Sequence, residues 1–277
     1  GLSTELRARR SRRGMRRPRG GDPGWQHAPA ARTRAQRTVA SIVLLSSNCA
    51  RHGPTGTRPM PWNDTTAASP VGGNPGTTRG EQRRNAMLEA LRQLGAGLDS
   101  ETPITVRACW DALTVVAGGV TTLAQAGADD FVIDDRSLVV NNSTFRPAPF
   151  LADKYAFYSA APAARLGGTR ACSLRGGDCA DSTDMTITYN RRIGEAGVLG
   201  GAQFYLGYNA APAGTLDFVG VSVHELGHGL GFASLVRSSG AKPFDRDDMF
   251  ARQIIDNRAN PSPPLLRLSN SARLDAM

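Results

Sequence analysis

The segment FVGVSVHELGHGLGFAS, Phe218 to Ser234, constrains this chain more than any other. Val219, Val223, Leu226 and Leu230 recur at intervals of three and four, the period of one helix face. That spacing predicts a helix from about Leu216 to Gly231, with Thr215 or Asp217 as its cap and the apolar stripe toward the core. On such a helix His224 and His228 stand one turn apart, with about 40° of rotation and about 6 Å of rise between them, so their rings can converge on one ion. Glu225 stands about 100° round from His224, where a carboxylate reaches a metal-bound water without ligating the metal. This is the H-E-x-x-H pattern: His224 and His228 as ligands of Zn2+, and Glu225 as the general base beside them. Gly220, Gly227 and Gly231 fall beside the histidines. Each helical glycine costs about 1 kcal/mol relative to alanine, so a helix with several on that side is leaving room for a cleft or a close backbone.

The rest of the chain alternates strand and helix signals. Val39 to Leu45 is apolar and β-branched and predicts a first strand; an alternative reading joins it to the preceding basic residues as a signal peptide. A Gly/Pro/Thr-rich loop follows to about Thr77, then a helix capped by Thr78, running from Gly80 to about Leu94 and stopped by Gly95. Ile104 to Trp110 and Asp184 to Asn190 alternate as strands, residues 111–183 are ambiguous, and Ala202 to Asn209 reads as strand or turn. The order predicts a mixed α+β domain without internal repeats.

The 277 residues carry a net charge of +9, which looks at first like a nucleic-acid signal. Residues 1–37 hold eleven arginines against Glu5 and Asp22, which accounts for all of that excess and leaves the remainder neutral. This Arg-rich tail lacks apolar periodicity and is expected to be disordered, with residues 38–277 as the folded domain. No specific nucleic-acid partner is expected, because arginine bias runs through the whole chain; a polyanion-binding arm is the competing reading of the tail. No apolar run approaches the length of a membrane span. Of four cysteines, Cys172 and Cys179 bracket a short Gly-containing loop. A disulfide there contributes about 2.5 kcal/mol in the chain-entropy model and suits an exported protein; two reduced thiols are the alternative.

HELGHGLGF resembles the active-site helix of zincin metallopeptidases, and Gly231 the H-E-x-x-H-x-x-G extension of the metzincins. PVGGNPGTTRGEQRR, DMTITYN, LDFVGVSVHELGHGLGFASLV and DMFARQIIDN together resemble a group of bacterial secreted zincin-like proteins, over roughly residues 39 to 277. In that group the peptidase domain often accompanies a protease-associated (PA) domain. The resemblance implies a zincin-like mixed sheet and a zinc-dependent endopeptidase acting on protein or peptide substrates, secreted or in the cell envelope. His224 and His228 would be its ligands and Glu225 its general base. It also implies that the strand from Asp184 to Asn190 is an edge against which an extended peptide pairs.

One departure stands out. Metzincins place a third ligand six residues after the second histidine, where this chain has Ser234. No His or Glu follows His228, so a downstream ligand is an aspartate or lies beyond Met277. The candidates are Asp245, Asp247 and Asp248, with Asp248 ahead of the apolar pair Met249 and Phe250; Asp256 and Asp275 lie further on. Tyr189, Tyr205 and Tyr208 are candidates to stabilise the oxyanion, each with a structural role as the alternative. The competing function is an inactive binding or adhesion module with an incomplete metal site.

Overall fold

The computed structural model describes residues 42–46 and 61–276, except 117–119, 136, 141–142, 145–147, 175–178, 180–181 and 259. The Arg-rich tail and the ends of the proposed signal peptide lie outside the described residues. Eleven strands run in chain order: β1 (Ile42–Ser46), β2 (Ile104–Asp111), β3 (Ala124–Ala128), β4 (Phe131–Val132), β5 (Val139–Val140), β6 (Ser143–Thr144), β7 (Ala156–Ser159), β8 (Met185–Asn190), β9 (Phe204–Tyr205), β10 (Leu216–Asp217) and β11 (Asp247–Asp248). The α-helices are α1 (Arg79–Gly97), α2 (Ala160–Gly167), α3 (Ala171–Leu174), α4 (Phe218–Gly229) and α5 (Asn270–Ala276). The fold is mixed α and β with small mixed sheets.

The main sheet has the order β1-β2-β8-β3. β1, β2 and β8 run parallel and β3 is antiparallel to β8. β8 is therefore internal, which corrects the expectation that Asp184 to Asn190 forms an edge; the edge beside it is β3. The reason lies in the pairing: β8 spends its main-chain groups on β2 from Val106 to Asp111 and on β3 from Ala124 to Ala128. The strand predicted at residues 39–45 is β1 over its described part, in register with Ile104 to Ala108.

Alternate residues of the two central strands, Val106, Ala108 and Trp110 with Met185, Ile187 and Tyr189, are buried and share one core with both long helices. α1 contributes Ala86, Met87, Ala90 and Leu91, and α4 contributes Phe218, Val219, Leu226 and Leu230. Phe218 stacks on Tyr189 with ring centroids 4.6 Å apart, and Trp62 donates its indole N–H to the Ala108 carbonyl at 3.1 Å. α1 opens on a full capping box: Thr78 Oγ1 accepts from the Glu81 N–H at 3.2 Å, and Glu81 accepts from the Thr78 N–H at 3.1 Å. Gly95 does not stop this helix; it is buried within it and the helix ends two residues later. β11, β7 and β4 form a separate three-stranded sheet with its own small core beneath α2. Cys172 and Cys179 form the expected disulfide, and Cys109 is disulfide-bonded as well.

Candidate metal centre

The chain enters α4 from a loop whose position is set far upstream. Asn74, fully buried, donates to the carbonyls of Gln82 at 2.8 Å and Leu206 at 2.7 Å, and accepts from Gly76 N and Asn85 Nδ2, each at 3.1 Å. The Tyr208 N–H adds a bond to the Gly72 carbonyl at 2.8 Å. Gly72 has φ +51°, and a Cβ there would lie 2.1 Å from Asn209 Oδ1, so only glycine fits where these loops cross. β9 in the clamped loop pairs with β10, whose last residue, Asp217, is the N-cap of α4 and accepts from the Gly220 N–H at 3.0 Å. Residues 72–82 thus fix where α4 begins.

The buried face of α4 is rotated from the expected stripe. Val219, Leu226 and Leu230 are buried, but Val223 is only half-buried, and Phe218, Ser222, Glu225 and Gly229 complete the buried side. Gly229 was not foreseen; a Cβ there would lie 2.5 Å from Met185 Sδ, so this glycine lets the helix settle on β8. A Cβ at Gly227, by contrast, meets nothing within 4 Å, in keeping with open space on the histidine side. Ser222 donates to the Phe218 carbonyl and shares a hydrogen bond of 2.7 Å with the Tyr189 hydroxyl.

The two histidine rings stand at 89° with Nε2 atoms 3.1 Å apart. Two nitrogens each about 2.0–2.1 Å from one tetrahedral zinc lie about 3.3 Å apart, so the pair fits a shared zinc with little adjustment. His228 Nδ1 lies 2.9 Å from the Phe232 carbonyl, which can only accept, a contact that favours the tautomer with its proton on Nδ1 and its lone pair on Nε2. Glu225, 8% exposed, sits one residue after His224, between the histidines and the core face.

The described residues contain no group of three His, Cys, Asp or Glu side chains able to hold a metal. Asp248 is buried, as its apolar neighbours implied, yet its carboxylate accepts from the main-chain N–H groups of Leu235 at 3.0 Å and Ala251 at 2.7 Å, and from Ser234 Oγ at 3.3 Å. It clamps two loops together, and Ser234, in the third-ligand position, belongs to that clamp. Asp247 pairs with Lys242 and Arg252, each at 3.0 Å, Asp256 with Arg258, and Asp245 is exposed. Tyr189 is fully buried in the core, with its hydroxyl pushed upward in pKa by desolvation, which removes it as an oxyanion donor. Tyr205 donates to Asn209 at 2.5 Å, and Tyr208 packs half-buried against the main core.

Comparison of the chain with protein-family models, with curated proteins and with solved structures finds no match. No helix among the described residues is long and apolar enough to cross a membrane.

Proposed function

We propose that this chain is a zincin-like, exported metallohydrolase that cleaves peptide bonds. The observation that carries the reading is the convergence of His224 and His228, Nε2 to Nε2 at 3.1 Å, with Nδ1 of His228 tied to a main-chain carbonyl. Zinc bound there would supply a water of pKa about 7 and polarise a carbonyl. His224 and His228 would hold that ion through their Nε2 atoms. Glu225 accepts the proton of the attacking water and delivers it to the departing amine nitrogen. Glu225 is 8% exposed and follows His224 directly in α4. β3, paired on one side only among the described residues, offers main-chain groups to an extended substrate, and α4 packs along it. The disulfide between Cys172 and Cys179 suits an oxidising compartment and hence export.

The test is zinc stoichiometry by elemental analysis together with a generic peptide-cleavage assay. One zinc per chain, lost in His228→Ala, and cleavage reduced at least about 100-fold in Glu225→Gln with zinc retained, is the expected outcome. Normal cleavage by Glu225→Gln would refute the role of that residue. A second reading, a binding or adhesion module without catalysis, is favoured by one observation: Ser234 is committed to Asp248 where a third ligand would stand. Folded protein that holds no zinc would select it.

A further inference from the structure

We infer that Phe232 is a positioning residue for His228, acting through its main-chain carbonyl, and that the contact between its ring and Phe250 holds that carbonyl in place. The inference rests on the metal-centre reading only for its consequence on zinc. α4 ends at Gly229, and the chain then turns through Gly231 at φ +101°. The Gly231 N–H donates to the His228 carbonyl and the Phe232 N–H to the Gly227 carbonyl, both at 3.0 Å. This reversal brings the Phe232 carbonyl to 2.9 Å from His228 Nδ1.

Three observations point to the ring as the restraint. The Phe232 side chain is 65% exposed, so burial does not fix it. Its ring meets Phe250 edge to face, with centroids 6.3 Å apart, a geometry worth about 0.5–1.5 kcal/mol. Leu230, Gly231 and Ala233 of the turn and Met249 and Phe250 of the facing segment are among the residues lining a cavity of about 50 Å³, so the two segments do not close fully on each other there. Phe250 is a firm abutment because both neighbours are tied down: the Met249 N–H donates to the Phe157 carbonyl at 3.1 Å and the Ala251 N–H to Asp248 at 2.7 Å. A carbonyl on Nδ1 selects the tautomer whose Nε2 lone pair is free for a metal, and loss of such a partner typically weakens metal binding 10–100-fold.

The experiment compares the wild-type chain with Phe232→Ala, Phe232→Tyr and Phe250→Leu. Truncating an exposed ring leaves the Phe232 carbonyl in the chain and spares the core. Long-range proton–nitrogen spectra of the metal-free protein report the His228 tautomer, and chelator competition reports the zinc Kd. The expected result is a proton on Nδ1 in wild type and Phe232→Tyr, with mixed tautomers and zinc binding about 2–13-fold weaker in Phe232→Ala and Phe250→Leu, the fold-change that loss of the ring contact allows. A wild-type His228 protonated on Nε2, or a Phe232→Ala variant with tautomer and zinc Kd unchanged, overturns the inference. If the tautomer responds as expected while no variant binds zinc, the positioning stands and the metal-centre reading fails.

Discussion

Two glycines of α4 should respond in opposite senses to the same substitution. Gly227→Ala adds a methyl where nothing lies within 4 Å, so it gains the usual helix preference of about 1 kcal/mol. Gly229→Ala places its methyl 2.5 Å from Met185 Sδ and 2.9 Å from Met185 Cβ. Rotating the thioether relieves the first contact but not the second, and Met185 is 1% exposed and held within β8. Overpacking of this kind costs about 1–3 kcal/mol. Since the gain in helix preference at Gly229, the last helical residue, is no larger than at Gly227, the variants should differ by at least the overpacking cost. Urea unfolding with the disulfides intact measures this. With a slope of about 2.5 kcal/mol per molar for a domain of this size, the midpoints should separate by about 0.4–1.2 M, Gly227→Ala above wild type and Gly229→Ala below it. A Gly229→Ala midpoint equal to that of Gly227→Ala would show that α4 does not ride closely on β8.

Further outcomes follow from buried polar groups. Asn74→Ala strands the Leu206 carbonyl and the Gly76 N–H, and should lower stability by about 2–3 kcal/mol, read as a depressed Tm. Asp248→Asn sets an amide N–H2 against one of two main-chain donors, from Leu235 or Ala251; it should cost about 2–3 kcal/mol yet leave the zinc stoichiometry of the chain unaltered. Zinc lost from a folded Asp248→Asn protein would return this residue to the metal. Asp135 is held below the usual carboxylate range by hydrogen bonds from Ser137 and by the Arg246 guanidinium at 2.6 Å. Its folded pKa is depressed, so its contribution is complete above the unfolded value of about 3.9 and is lost as pH falls from there through the folded value. Asp135→Asn should lower Tm at neutral pH and flatten its decline below about pH 4; an unchanged acid limb would show that the ion pair contributes nothing.

What the sequence discloses here is local, and what it withholds is lateral. The Thr78 and Glu81 capping box, the Asp217 cap and the i, i+4 histidines are decided within four residues, so spacing alone finds them. The order of strands is decided by partners 57 to 79 residues away, such as Ala128 on Met185 and Val106 on Met185, and the alternation of MTITYN is the same whether its neighbours are one or two. β3 was illegible for a different reason: AQAGA has no β-branched or aromatic residue, and it is a strand because β8 supplies its partners. The aliphatic residues of α4 alone place its core face too far round, because they omit Phe218 and Gly229. Placed at 100° per residue, Phe218, Ser222 and Gly229 fall within about 40° of one another, and the buried arc runs from Glu225 through these three and Leu226 to Val219 and Leu230. The same rotation that buries Gly229 against Met185 carries Glu225 to the margin of the core and leaves both histidine Nε2 atoms on the open side. In this chain the packing of the helix and the presentation of the metal pair are therefore a single geometric fact, which is why a methyl group at position 229 is a sharper test of the site than one beside the histidines.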